Sequence, residues 1–318
     1  MNHLYDLIII GGGPGGAAAA VYSGRKKLDT LVITESFGGQ SFNSGDIENW
    51  IGTLHLSGFE LAQKLEEHVK AQEDVTVQQG ELVTSVRQSS SEDYSFTNPI
   101  WEVETNKATY HTKGLVVTSG GRRKKLEVPG EDEFAGRGVV YCSTCDAPLF
   151  RDKDVVVVGS GNAAMEGVID ALPYAKKIFM LIRGDHMKGD DATKEKILEH
   201  EGEKITIIYH GESKQVLGET VVTGLEYLDK QTSETKTLEV QGIFVEIGSL
   251  PNSEFMKGVV DLNERDQIII DHRSGKTSAS GIFAAGAVVD QLYDQNNISV
   301  GDAIKATLTA YNYVVHFK

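Results

Sequence analysis

The sequence predicts an α/β protein in which one parallel-strand device occurs twice, the second copy lying inside the domain that the first one opens. Three observations predict it. An apolar run ends in a glycine turn between Leu7 and Gly16 and leads through a small-residue helix to a second strand. The same order returns over 155–182. A strand, turn and helix after Gly281 then complete the first domain at the far end of the chain.

In chain order, Leu7–Ile10 reads as a strand, Gly11–Gly16 as a turn, a helix begins near Gly15, and Thr30–Thr34 is the next strand. An amphipathic stretch follows at Phe59–Lys70, with strand-like segments at 75–78, 100–104 and 115–118. The second copy comprises the valine run at 155–158, GSGNAA at 159–164, a helix through Ala171 and the strand IFMLI at 178–182. Further strands fall at 205–209 and 241–247, and Val300–Tyr313 reads as a closing helix. Motif order places domain boundaries at 1–117, 118–245 and 246–318, with Ser119, Gly120, Gly121 and Gly248 as candidate hinges.

A chain of 318 residues with 40% hydrophobic and 24% charged residues and 6 prolines suits two ordinary folded domains with little disorder. Its formal net charge of −15 disfavours nucleic acid and anionic membrane surfaces as partners. The run from Met1 to Asp6 passes directly into the first strand without a leader pattern, and no apolar stretch approaches the ~18 residues of a membrane span. A cytoplasmic protein is expected.

Glycines at 11, 13 and 16 between a strand and a helix let backbone amides approach a pyrophosphate. About 20 residues beyond the turn, where a carboxylate can accept hydrogen bonds from a ribose, stands Glu35; the plain alternative is a surface glutamate. In the second copy the glycine positions are Gly159, Gly161 and Ala164, and the spacing that leads to Glu35 leads here to Arg183. A guanidinium suits a 2′-phosphate, and Lys188 adds a second cation. Asp185 opposes both and could serve an unmodified ribose, and Arg183 also reads as a surface residue. Two dinucleotide sites imply transfer between a nicotinamide and a flavin.

The chain has two cysteines, Cys142 and Cys145, at a spacing shared by redox pairs and zinc sites. Such a pair can close a small disulfide, and Asp146 beside it could protonate a leaving thiolate if burial raises its pKa. The alternatives are a zinc half-site, to which His111 or His186 would have to come through the fold, and two inert core thiols.

With GGGPGG at 11–16, GGQ at 38–40, ENW at 48–50, TSGG at 118–121, CSTCD at 142–146, GSGNAA at 159–164 and GIFAAG at 281–286, the chain resembles the low-molecular-weight thioredoxin reductases over essentially its whole length. The resemblance implies two Rossmann-like (three-layer ββα) dinucleotide-binding domains, the second inserted in the first, in a homodimer whose nucleotide domain rotates. It implies FAD at Gly11, Gly13, Pro14, Gly15, Gly16, Glu35, Gly39, Gln40, Asn49, Gly120, Gly286, Ala287 and Gln295, and a nicotinamide nucleotide at Gly159, Gly161, Asn162, Ala163, Ala164, Arg183 and Lys188. By the same resemblance Cys145 faces the flavin, Cys142 attacks a thioredoxin-like partner, and Asp146 is the proton donor.

Two departures stand out. Where the family has a His-Arg-Arg run and a further arginine for the 2′-phosphate, this chain has Ile182, Arg183, Gly184 and Lys188. Relatives with such a weakened grip use NADH, reduced ferredoxin or another donor, so NADPH, NADH and ferredoxin are all donors to be tested. The family's aspartate for the ribityl chain is Ala287 here, and Asp294 replaces the arginine before Gln295, so looser FAD binding is expected. The leading expectation is an FAD-dependent disulfide reductase acting on a thioredoxin-like protein. A dithiol oxidase using oxygen and a non-catalytic redox or nucleotide sensor are the alternatives.

Overall fold

The structure is a computed structural model that describes residues 3–44, 47–90 and 96–318, so Met1 and Asn2 of the N-terminal run lie outside it. From the N-terminus the elements are β1 (Leu4–Gly12), α1 (Pro14–Arg25), β2 (Thr30–Phe37), α2 (Gly58–Lys70), β3 (Val75–Gln79), β4 (Val83–Gln88), β5 (Trp101–Thr105) and β6 (Thr109–Val117). Next come β7 (Gly121–Arg123), β8 (Val139–Val140), α3 (Ser143–Asp146), β9 (Asp154–Val158), α4 (Asn162–Ala171), β10 (Lys177–Leu181), α5 (Asp191–Glu199) and β11 (Ile205–Ile208). The remainder is β12 (Gly211–Gly218), β13 (Val222–Asp229), β14 (Glu234–Glu239), β15 (Gly242–Val245), β16 (Ser249–Pro251), β17 (Ile282–Ala284) and α6 (Asn296–Val315). The chain divides into two compact units, one of 1–122 with 250–318 and one of 123–249, and passes between them within β7 and β16.

In the first unit the sheet runs β3-β2-β1-β6-β5-β4, with β17 also on β6. β1 is parallel to both β2 and β6 and is apolar on both faces, as a strand covered on two sides must be. Leu7 and Ile9 pack against Ala17 and Ala20 of α1 and Ala303, Ala306 and Ala310 of α6. Ile8 and Ile10 point the other way, toward Val86, Trp101 and Val103. Those three belong to an antiparallel meander that leaves the main sheet partway along β6. Thr109–Thr112 of β6 pairs with β5, whereas Leu115–Val117 pairs with β17. Helices, parallel sheet and meander therefore make three layers.

The second unit repeats the plan. Its parallel sheet has the order β11-β10-β9-β15-β8, and β12-β13-β14 form an antiparallel layer. The valine run of β9 divides by parity. Val155 and Val157 join the helix-side core with Met165 and Val168 of α4, and Val156 and Val158 join the core under Val216, Leu225 and Leu238. Each of these valines is at most 7% exposed, and such burial contributes roughly 1.5–3 kcal/mol per side chain.

Elements outrun their sequence-predicted limits where pairing or packing continues. β1 begins at Leu4 and ends at Gly12, β2 reaches Phe37 so that Glu35 lies inside it, and α6 extends from Asn296 to Val315. The antiparallel layer over 211–239 was not singled out from sequence, because its strands alternate with many polar residues and read as exposed chain. Among the described residues no helix is long and apolar enough to cross a membrane.

Candidate functional site: two glycine turns and a disulfide

Both glycine turns sit at the carboxyl end of a strand whose neighbours lead away in opposite directions. β1 lies between β2 and β6, and β9 lies between β10 and β15. That is where α/β sheets open a crevice for nucleotides. The glycines divide the work between them. Gly11 has φ +114°, and a Cβ there would overlap the Thr118 carbonyl; a Cβ on Gly16 would overlap the carbonyl of Gly11. These two allow close backbone packing. A Cβ on Gly13 would meet nothing nearer than Gly39 at 3.8 Å, and one on Gly161 or Gly120 would meet nothing within 4 Å. There the missing side chain leaves open space, as a bound pyrophosphate requires, and the residues present fit a dinucleotide in each unit.

Pro14 and Gly15 open α1, and Gly39 and Gln40 begin a short 3-10 turn in which the Gln40 side chain donates to the Gly121 carbonyl. Asn49 donates to the Gln295 side chain at 3.3 Å, while its own carbonyl accepts from Asn297 at 2.7 Å. Gln295 is the residue that precedes α6. Gly286 has φ +81° and lies against Ser299, and Ala287 follows it half-buried. The structure thus brings the first-unit residues of the sequence reading to one end of one sheet. Asn297 was not anticipated, and its sequence carries no pattern that would single it out.

In the second unit Asn162, Ala163 and Ala164 open α4. The loop after β10 folds back onto the turn. The Lys188 amide donates to the Ser160 carbonyl at 2.6 Å, and the Asp190 amide donates to the Asn162 side chain at 2.8 Å. Arg183, Asp185, His186 and Lys188 are exposed. Asp185 lies 2.5 Å from His186 Nδ1, and this hydrogen bond holds its carboxyl below the usual range.

Cys142 and Cys145 are joined as a disulfide with their Cα atoms 5.3 Å apart. They flank the first turn of α3, whose amide at Asp146 donates to the Cys142 carbonyl at 3.0 Å. His111 lies in the first unit beside Glu102, and among the described residues no group of three or more His, Cys, Asp or Glu could hold a metal. Asp146 is 7% exposed. Burial pushes its pKa up to about 7, opposed by a hydrogen bond from the Cys142 backbone.

The surroundings of the disulfide hold groups that sequence reading missed. Asp170 of α4 accepts from Ser143 Oγ at 2.9 Å and Thr144 Oγ1 at 3.0 Å. Gly167 lets α3 approach, since a Cβ there would lie 3.3 Å from that of Ser143. Tyr141 donates to buried Glu131 at 2.9 Å, and its phenol pKa is pushed up by burial and by that carboxylate. Glu246, just past β15, accepts from the Ser143 amide at 3.0 Å. A signal for Glu246 was present: it interrupts the apolar run GIFVEIG with one carboxyl.

The pyridine nucleotide-disulphide oxidoreductase family matches residues 5–307. The chain is 36% identical over 312 residues to the NADH dehydrogenase of Bacillus subtilis (strain 168), which covers 98% of this chain and 59% of that one. It is 37% identical over 315 residues to a subunit of the alkyl hydroperoxide reductase of Pseudomonas putida, covering 98% of this chain and 58% of that one. The chain thus spans under two thirds of the length of these curated relatives. Among solved structures, the thioredoxin reductase from Streptococcus pyogenes MGAS5005 is similar with a TM-score of 0.89 and 31% identity over the whole of both chains. The thioredoxin reductase from Giardia duodenalis has a TM-score of 0.87 at 28% identity, covering 99% of this chain and 100% of that one.

Proposed function

The chain belongs to the pyridine nucleotide-disulphide oxidoreductases, and on that premise we propose that it reduces the disulfide of a thioredoxin-like protein through Cys142 and Cys145. The observation that carries this reading is the Cys142–Cys145 disulfide with a buried carboxyl, Asp146, directly after it. FAD supplies two-electron exchange between a nicotinamide hydride donor and a dithiol when it is bound. Gly13, Gly39, Gly120, Glu35, Gln40, Asn49 and Gln295 would hold it in the first unit, and Gly161, Asn162 and Arg183 would hold the nicotinamide nucleotide in the second.

In the proposed exchange the reduced pair carries two electrons. Cys142, at the N-terminal edge of α3, attacks the partner disulfide, and Cys145 then closes on Cys142 to release the reduced partner. The leaving thiolate needs a proton, and Asp146 is neutral and able to give one below about pH 7. Arg183 and Lys188 favour a 2′-phosphate and Asp185 disfavours it, so NADPH is preferred over NADH only weakly. A name of NADH dehydrogenase on a relative at 36% identity supports use of the unphosphorylated donor. The name of the alkyl hydroperoxide reductase relative supports a peroxide-reducing system as the destination of the electrons. We further propose a homodimer.

Anaerobic reduction of the FAD-loaded protein with NADPH, NADH and reduced ferredoxin in parallel tests the donor. Subsequent turnover of a thioredoxin disulfide under the effective donor tests the acceptor. Reduction by a nucleotide followed by thiol formation on thioredoxin is expected. No transfer to any protein disulfide would refute the reading, and reduction by ferredoxin alone would reassign the donor.

A further inference from the structure

The two glycine turns share one backbone arrangement with the strand beside them. In the first unit the residue after β6, Thr118, donates its amide to Ile10 at 2.8 Å and its carbonyl lies where a Cβ of Gly11 would be. In the second unit the residue after β15, Glu246, donates its amide to Val158 at 2.9 Å and its carbonyl lies where a Cβ of Gly159 would be. Thr118 satisfies its hydroxyl locally, on the Ile10 carbonyl at 2.8 Å. The turn therefore works without a carboxyl at this position. Glu246 instead sends its side chain away from the turn to the amide of Ser143, between the two cysteines, and is 6% exposed.

We propose, as a deepening of the disulfide-reductase reading, that Glu246 is a positioning residue of the redox pair which takes up a proton when the disulfide is reduced. Its carboxyl holds the amide of the residue directly after Cys142, so charge appearing on that sulfur would act on Glu246. The groups facing it are Asp146 on α3, Asp170 on α4 and Arg123 on β7; against burial, the guanidinium and the Ser143 amide lower its pKa, and the two carboxylates raise it. Burial is the largest influence and sets the pKa at about 7 with the disulfide closed.

Reduction of the disulfide takes two electrons and adds one proton to each sulfur that leaves as a thiol. Where a sulfur remains a thiolate, its negative charge raises the Glu246 pKa further, and one additional solvent proton binds the carboxyl. Between the oxidised-state and reduced-state pKa values, that extra proton makes the reduction equilibrium constant tenfold more pH-dependent per pH unit.

The FAD-loaded protein is equilibrated with glutathione redox buffers from pH 6 to 9, and its thiols are counted by alkylation. The chain has 2 cysteines, so the count reads this pair alone, with no need for partner turnover. Loss of turnover would thus reject the reductase reading without touching this measurement. Glu246→Gln keeps an acceptor for the Ser143 amide and removes the titration; Glu246→Ala removes both. The expected result is a pH dependence flatter by up to tenfold per pH unit above about pH 7 in both variants. An unchanged profile in Glu246→Gln, or a change in Glu246→Ala alone, would overturn the proposal. So would complete loss of the steep segment in Asp146→Asn, since the proton would then belong to Asp146.

Discussion

The hydroxyl of Ser143 lies 2.9 Å from the Asp170 carboxylate, which also accepts from Thr144 at 3.0 Å, so both residues between the cysteines are tied to α4. Hydrogen bonds to a charged group contribute about 1.5–3 kcal/mol, less where water competes, as it does at exposed Thr144. Asp170→Ala is expected to destabilise the second unit by about 1–2 kcal/mol and to speed alkylation of the two cysteines once they are reduced. Denaturant unfolding and timed alkylation measure the two effects. An unchanged midpoint would show that the loop holds itself.

Cys145→Ser is expected to abolish reduction of a thioredoxin-type substrate while FAD remains bound, because no cysteine lies among the first-unit residues that would hold the cofactor. Cys142→Ser should also stop turnover but leave Cys145 free to perturb the flavin spectrum. Absorbance spectra of the two variants decide the roles, and a perturbed spectrum in Cys145→Ser alone would exchange them.

Asp146 is held protonated up to about pH 7, so its activity as an acid should fall as pH rises through 7. Asp146→Asn is expected to slow partner turnover by about 10²–10⁴-fold at pH 6, with the gap to the parent narrowing above pH 7. The same shift has a sign for stability. A carboxyl whose pKa rises on folding favours the fold fully below its unfolded value and loses that contribution as pH climbs through the folded one. From about pH 4 to about pH 7 Asp146 and Glu246 therefore both lower stability as pH rises. Denaturation midpoints of the Asp146→Asn, Glu246→Gln double variant should be flatter over that window than those of the parent.

Ala287→Asp should tighten FAD binding by tenfold or more, since a charge-assisted hydrogen bond to a ligand hydroxyl contributes about 1.5–3 kcal/mol. Ala287 is half-buried, directly after the left-handed Gly286. Equilibrium dialysis of FAD against both proteins checks it. Weaker binding in the variant would mean that another group already serves the ribityl chain.

Discrimination between NADPH and NADH should be small, roughly fivefold in favour of NADPH, because an exposed charge pair contributes about 1 kcal/mol or less. Arg183→Ala should erase it, and added salt should shrink it in the parent. Steady-state kinetics with both nucleotides at two ionic strengths measure these changes. A strong preference surviving the substitution would place the phosphate grip elsewhere.

The repeated device was legible in the order of residues, because a glycine fingerprint is a local necessity. Gly11 must adopt a positive φ, Gly16 must let two backbones touch, and apolar runs such as 155–158 must be covered on both faces. The Cys142, Cys145 and Asp146 group was legible for the same reason, since a redox pair and its neighbour are adjacent in the chain. The surroundings of that pair come from contacts between segments far apart in the chain. Ser143 meets Asp170 through the approach of α3 to α4, and meets Glu246 because β15 pairs with β8, the strand that leads into α3, a hundred residues along the chain in the latter case. The burial that lifts the pKa of Asp146 and Glu246 is likewise a property of the assembled layers. The apolar run around Glu246 hints at its burial, but which groups it meets there is set by the packing of the sheet against the helices.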